Sequence, residues 1–138
     1  MPARGLGSRY QGMNWIRQST RLAVYLRDGL ACAWCGHAVE EGARLTLDHV
    51  TCHAHGGSDR PANLVTCCDV CNASRGSLSA RRFASRVAIE TGEAVDEIMA
   101  RIRRTVRRAL PRAEAREMIE RRGSVARALA AKSKKVAR

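Results

Sequence analysis

Cys32-Ala33-Trp34-Cys35 and Cys68-Asp69-Val70-Cys71-Asn72 frame a segment, Leu47-Asp48-His49-Val50, in which an acid and an imidazole stand side by side. Two residues between paired cysteines let one tight turn present both sulfurs to the same ion, and two such pairs complete a tetrahedral set of soft thiolates. The expected ion is Zn2+, held by Cys32, Cys35, Cys68 and Cys71. With four sulfurs around it no position is left for a reacting water, so its expected role is structural. Cys67 also stands at permissible spacing, as Cys67-x-x-x-Cys71, and competes with Cys68 as the third ligand; Cys68 is preferred, with Cys67 as a packing residue. Cys52, His37, His53 and His55 are further possible ligands, but each is read as a loop or packing residue.

The 138 residues suit one compact unit with appendages rather than two full cores. Aromatic residues are only 4% of the chain, so the core should be aliphatic and thin, and a metal crosslink would compensate. Six cysteines raise the possibility of a secreted disulfide framework, but Met1-Pro2-Ala3-Arg4-Gly5 leads into no apolar stretch of signal-peptide length. A reducing, intracellular setting is expected: cytoplasmic, nucleoid-associated, or encoded by a phage or mobile element. No stretch approaches the roughly 20 apolar residues of a membrane-spanning helix.

Organisation follows from the breakers. Residues 1–13 lack periodicity and read as a flexible arm. From Asn14, an expected N-cap, Trp15, Leu22 and Leu26 share one side of a helix that stops near Asp28-Gly29. Arg44 to Val50 alternates like a strand, and it is expected to form a small hairpin with the Cys32–Cys35 knuckle. Gly56 to Pro61 is a loop, and Ala62 to Arg75, free of breakers, is expected to be helical until Gly76-Ser77. Beyond Ser79 the pattern is helical with interruptions at Thr91-Gly92, Pro111 and Gly123-Ser124. In the middle stretch Val95, Ile98, Met99, Ile102, Val106, Ala109 and Leu110 trace an apolar stripe, with Arg101, Arg104, Arg107 and Arg108 expected on the opposite face.

Leu47-Asp48-His49-Val50, Gly56-Gly57, Asn63-Leu64-Val65 and Cys68-x-x-Cys71-Asn72, in that order, resemble the HNH endonuclease family, in particular the subgroup pinned by a four-cysteine zinc site. The resemblance spans about residues 27–77, beginning with Arg27-Asp28-Gly29. It implies an α+β fold built on a small ββα-metal, treble-clef-like core stapled by zinc; the sequence pattern sets this core at residues 14–79, including a helical N-terminal segment, and adds, outside the resemblance, a basic helical extension over residues 80–138. The resemblance further implies that His49 is the general base, that Asp48 and Asn72 hold a catalytic divalent metal, Mg2+ or Mn2+, and that Asn63 braces the loop orienting the His49 ring. Asn72 stands where many members have a last histidine. Cys52 replaces a common proline, and His53 and His55 occupy a stretch that is usually basic or polar.

The chemistry asks for these types on its own account. Hydrolysis of a phosphodiester needs a deprotonated water on one side of phosphorus and charge neutralisation at the leaving oxygen; an imidazole supplies the first and a metal ion the second. One carboxylate and one amide oxygen are hard ligands suited to Mg2+ or Mn2+. Neighbouring side chains on a strand point to opposite faces, so Asp48 and His49 converge only where the strand ends or bulges. Singly, Asp48 and His49 could be a strand-end pair, Asn63 an N-cap and Asn72 a surface amide. Only the ordered set argues for a nuclease.

The net charge is +12, and residues 101–138 hold 14 basic residues against Glu114, Glu117 and Glu120. Such an excess repels itself without an anion nearby, which points to the phosphates of DNA. Six phosphate contacts would give a log–log salt slope of about −5. A membrane surface is disfavoured, because the apolar stripe lacks the Trp or Phe of interfacial anchors. The leading expectation is a metal-dependent DNA endonuclease or nickase. The alternative is a non-catalytic, zinc-stabilised nucleic-acid-binding module, and a third is an interaction domain whose C-terminal helices engage a partner protein or a second copy.

Overall fold

The computed structural model of the chain describes residues 15–137, so the expected arm and Asn14 lie outside the described residues; the first helix begins later than expected, at Gln18 after Arg17, so Trp15 precedes it. Within them are six α-helices and one two-stranded antiparallel sheet, an α+β arrangement. Helix α1, Gln18–Arg27, buries Leu22, Ala23, Val24 and Tyr25. It stops because Gly29 and then Leu30 turn left-handed, at φ +76° and +57°. Arg27 and Asp28 bolt this end to the sheet: Arg27 donates to the Leu64 carbonyl at 2.6 Å, and Asp28 Oδ2 accepts from the Thr66 backbone N–H at 2.8 Å.

Strands β1 (Leu45–His49) and β2 (Leu64–Cys68) pair in unbroken register, from Leu45 opposite Cys68 to His49 opposite Leu64. This corrects two expectations. Residues 64–68 form a strand, where a helix from Ala62 to Arg75 was expected, and β1 makes its hairpin with β2, where the knuckle was expected as partner. The missing breaker in 62–75 said nothing about type. All five β2 residues are buried, and a short run buried on both faces shows neither helical nor alternating periodicity. The knuckle instead closes on itself through an Ala31–Ala38 bridge and reaches β2 through a hydrogen bond from the Ala33 N–H to the Thr66 carbonyl, 2.8 Å.

Helix α2 (Asp69–Arg75) starts at Cys68, whose sulfur accepts from the Cys71 N–H at 3.4 Å, and ends at Gly76 as expected. The extension folds into α3 (Ala80–Thr91), α4 (Val95–Arg107), α5 (Arg112–Arg122) and α6 (Val125–Ala137), broken where the sequence places Gly92, Pro111 and Gly123. Ser79 caps α3, its hydroxyl accepting from the Arg82 N–H at 3.2 Å.

The extension is not an independent unit. Phe83, Val87, Ile98 and Ile102 of α3 and α4 share a core with Trp34, Val65, Cys32, Cys67, Cys68 and Cys71. Ala115, Val125 and Ala128 of α5 and α6 complete a second core with Leu22, Tyr25 and Leu64. The two meet at Leu45. Trp34 and Phe83 pack edge to face at 5.2 Å, an arrangement that contributes about 0.5–1.5 kcal/mol beyond the area buried. No described helix is long and apolar enough to cross a membrane.

Candidate functional site

The knuckle and the start of α2 bring Cys32, Cys35, Cys68 and Cys71 together, with their sulfurs all within 4.8 Å of one another. Cys35 and Cys68 Sγ are 3.7 Å apart, and thiolates about 2.3 Å from a tetrahedral zinc are separated by about 3.8 Å. The cage therefore has the dimensions of a zinc site. Its electrostatics agree. Hydrogen bonds from the Cys67 and Cys71 thiols hold Cys32 far below the ordinary thiol range. Burial pushes Cys35 up to about 11, and the hydrogen bond toward Cys32, with burial behind it, raises Cys71 well above its usual value. A divalent cation bound here would let neighbouring thiolates coexist. Cys67 stays outside the cage, fully buried in the first core, as expected.

Trp34, between the first two cysteines, links the cage to the strand. Its indole N–H donates to Asp48 Oδ2 at 2.9 Å, and the same oxygen receives the Arg75 guanidinium in a buried ion pair. Arg75 also donates to the carbonyls of His49 and Val50, both at 2.8 Å, and to that of Leu78 at 3.1 Å. It lies over the Trp34 ring, 5.5 Å from the centroid. The sequence reading missed both residues. The available signal was positional, since Arg75 is four residues after Cys71 and so on the same helical face.

His49 is the last residue of β1, and its side chain is 22% exposed. Strand alternation turns it away from Asp48: Asp48 meets Trp34 and Arg75, while His49 Nε2 meets Asp59 Oδ1 at 2.8 Å. His53 Nε2 approaches the same Asp59 oxygen at 2.6 Å, and the two imidazoles lie 4.6 Å apart. Trp15 covers the His49 ring at 5.0 Å. The hydrogen bond from His49, with a further one from His53, holds the Asp59 carboxyl below the usual carboxylate range. An ionised carboxylate only accepts, so both Nε2 atoms carry hydrogen when the rings are neutral, and the lone pair of His49 is then on Nδ1. Asp59 and His53 were not among the expected site residues.

Asn63 closes the loop between them. Its Oδ1 accepts from the Thr51 N–H at 2.9 Å, and its Nδ2 donates to the carbonyls of Thr51 and Ser58 at 2.9 and 2.8 Å. Gly57 fits because a Cβ there would fall 1.6 Å from the Thr51 carbonyl oxygen. Cys52 and His55 pair with each other at 2.9 Å, away from the cysteine cage. Asn72 is exposed on α2.

On α4 the expected basic face divides. Arg104, Arg107 and, just past the helix, Arg108 are exposed. Arg101 is not on that face: it donates to the Ala33 and Trp34 carbonyls at 3.1 and 2.9 Å and pairs with Glu93 at 2.5 Å. An arginine at a helix-stripe boundary has enough reach to join the core side, which periodicity alone does not register.

No curated protein and no solved structure matches the chain. The family model described as HNH endonuclease matches residues 32–86, from the first cage cysteine into α3. With the cage, the ββα order of β1, β2 and α2, and the Asp48-His49 strand end in place, residues 32–86 match the HNH endonuclease family model, and their four cysteines are consistent with its zinc-binding subgroup.

Proposed function

We propose that the chain is a metal-dependent DNA endonuclease or nickase in which His49 is the general base. The observation that carries this reading is the His49–Asp59 hydrogen bond at the free end of β1. It leaves Nδ1 of the neutral ring as a proton acceptor on a side chain 22% exposed, on a strand that Arg75 holds in place. A water beside Nδ1 gives up its proton as it attacks phosphorus, and the 3′ or 5′ oxygen leaves on the opposite side. Asn63 keeps the loop carrying Asp59 in register, so its contribution is to position the ring.

Asp48 and Asn72 fit a hard divalent ion by donor chemistry. Trp34 and Arg75 engage only Oδ2 of Asp48, leaving Oδ1 and the exposed Asn72 amide oxygen as oxygen donors. Mg2+ or Mn2+ held there would neutralise charge on the phosphate and leaving oxygen. Arg104, Arg107 and Arg108 supply cationic contacts to the DNA backbone, while the C-terminal helices are the face offered to any second copy or protein partner.

One observation favours the alternative, a non-catalytic zinc module that binds nucleic acid: the Asp48 carboxylate is already neutralised by Arg75. Supercoiled plasmid separates the two. Nicking in Mg2+ or Mn2+ that disappears in His49→Ala, with DNA affinity kept, is the expected result. Binding without any cleavage by the wild-type chain would establish the alternative.

A further inference from the structure

We propose that His49, His53 and Asp59 form a second, zinc-class metal site whose occupation switches His49 off as a base. One ring nitrogen each of His49 and His53 and a carboxylate oxygen of Asp59 lie within 4.8 Å of one another, and both Nε2 atoms meet the same Asp59 oxygen. Two imidazoles and one carboxylate are the ligand set of open zinc sites, with a fourth position left for water. This differs in kind from the oxygen pair Asp48 and Asn72. Imidazole nitrogen prefers a borderline ion such as Zn2+ or Co2+ over Mg2+, so the two sites select different metals.

The trio is built for the purpose by its loop. His49 is fixed at the end of β1, and the three Asn63 hydrogen bonds with the tight Gly57 approach hold the turn that brings Asp59 back to it. The present Asp59 separations, 2.8 Å to His49 and 2.6 Å to His53, are hydrogen-bond distances. Ligands about 2.0–2.1 Å from a tetrahedral zinc are separated by about 3.3 Å, so entry needs an opening of roughly half an ångström. The outer two side chains can provide it, being 62% exposed at His53 and 43% at Asp59.

The switch is a tautomer exchange, and its effect on cleavage rests on His49 being the base. With Asp59 alone as partner, Nε2 carries the hydrogen and Nδ1 the lone pair. An ion on Nε2 takes that nitrogen's lone pair, the proton moves through solvent to Nδ1, and the ring presents a donor where the water needs an acceptor. Metal of the zinc class should therefore inhibit a reaction that magnesium supports.

The test starts with chain whose cysteine cage is filled with Zn2+, titrated with Co2+. Wild-type chain should bind one further equivalent, with the weak visible absorption of nitrogen and oxygen ligation and no near-ultraviolet thiolate-to-cobalt band. His53→Ala and Asp59→Asn, shown folded by far-UV circular dichroism, should each weaken that binding by about tenfold or more. No second equivalent, or one that survives in both variants, or one lost instead in Cys52→Ser, would overturn the proposal. In parallel, Zn2+ should inhibit plasmid nicking in Mg2+, and His53→Ala should raise the inhibiting concentration by about tenfold relative to its own uninhibited rate. Unchanged inhibition in His53→Ala also counts against it. If wild-type chain does not cleave at all, the nuclease reading fails, and the Co2+ stoichiometry still decides whether the metal site exists.

Discussion

The guanidinium of Arg101 donates to the main-chain carbonyl of Trp34 at 2.9 Å, although 67 positions separate the two in the chain. Trp34 lies between two cage cysteines and reaches Asp48 with its indole. The basic extension is therefore fastened to the metal knuckle that supports the candidate site. On one helix, Arg101 is thus tied to the knuckle while Arg104 is exposed, where its proposed role is contact with DNA.

Arg101→Ala and Arg104→Ala should separate those roles. Loss of the two carbonyl hydrogen bonds and the Glu93 pair should lower the stability of Arg101→Ala by about 1–2 kcal/mol and quicken zinc loss to a chelator. Exposed Arg104 should change stability by no more than about 0.5 kcal/mol. Its replacement should instead reduce the salt slope of DNA binding by about 0.9 if one phosphate contact is lost. Thermal melts and binding isotherms across a salt series would show both; equal effects of the two variants on stability would contradict the division.

Arg75→Met should be among the most damaging single changes in the sheet. It leaves the buried Asp48 carboxylate without its cation, and breaking a buried pair from one side costs about 3–5 kcal/mol. Asp48→Asn combined with Arg75→Met should recover part of that loss, because no uncompensated charge remains. Denaturant midpoints of the three variants form the cycle. Additive effects would mean that the pair is not energetically coupled.

Cys71→Ser, or a strong chelator applied to the wild type, should abolish the cooperative melt. Cys71 belongs both to the cage and to the first core, and the binding energy of a structural zinc is largely folding energy. Cys67→Ser tests the opposite case: outside the cage, it should keep one tightly bound zinc and lose only packing. Metal content after gel filtration, with far-UV spectra, distinguishes these outcomes.

Metal-ligand spacing and ordered motifs were legible in the sequence because each is a local statement: two cysteines on a turn, a glycine at a helix end, a histidine after an acid. Strand β2 was not, since its identity comes from pairing with a strand well upstream and from burial on both faces. Asp59 was invisible for a related reason. Nothing around Ser58-Asp59-Arg60 marks it as a partner of His49 until Asn63 and Gly57 fold the loop back. Arg101 shows the limit of helical periodicity, which assigns a face to a Cα and not to the end of a long side chain.

Asn63→Ala and Gly57→Ala should damage the same loop by different routes, which makes them a joint test of how His49 is positioned. The first removes three hydrogen bonds, worth about 1 kcal/mol each when made, though partial exposure lets water replace some of them. The second drives a methyl group into the Thr51 carbonyl, 1.6 Å away, so the backbone itself must move. Neither touches the zinc cage or either core. Both variants should therefore keep their zinc and most of their helical signal, while plasmid nicking falls by about 100-fold as Asp59 leaves His49. Adding Asp59→Asn to either should then reduce the rate little further, because the bond it removes is already lost. A full-strength multiplicative loss in the double variants would show that the loop and Asp59 act on cleavage independently.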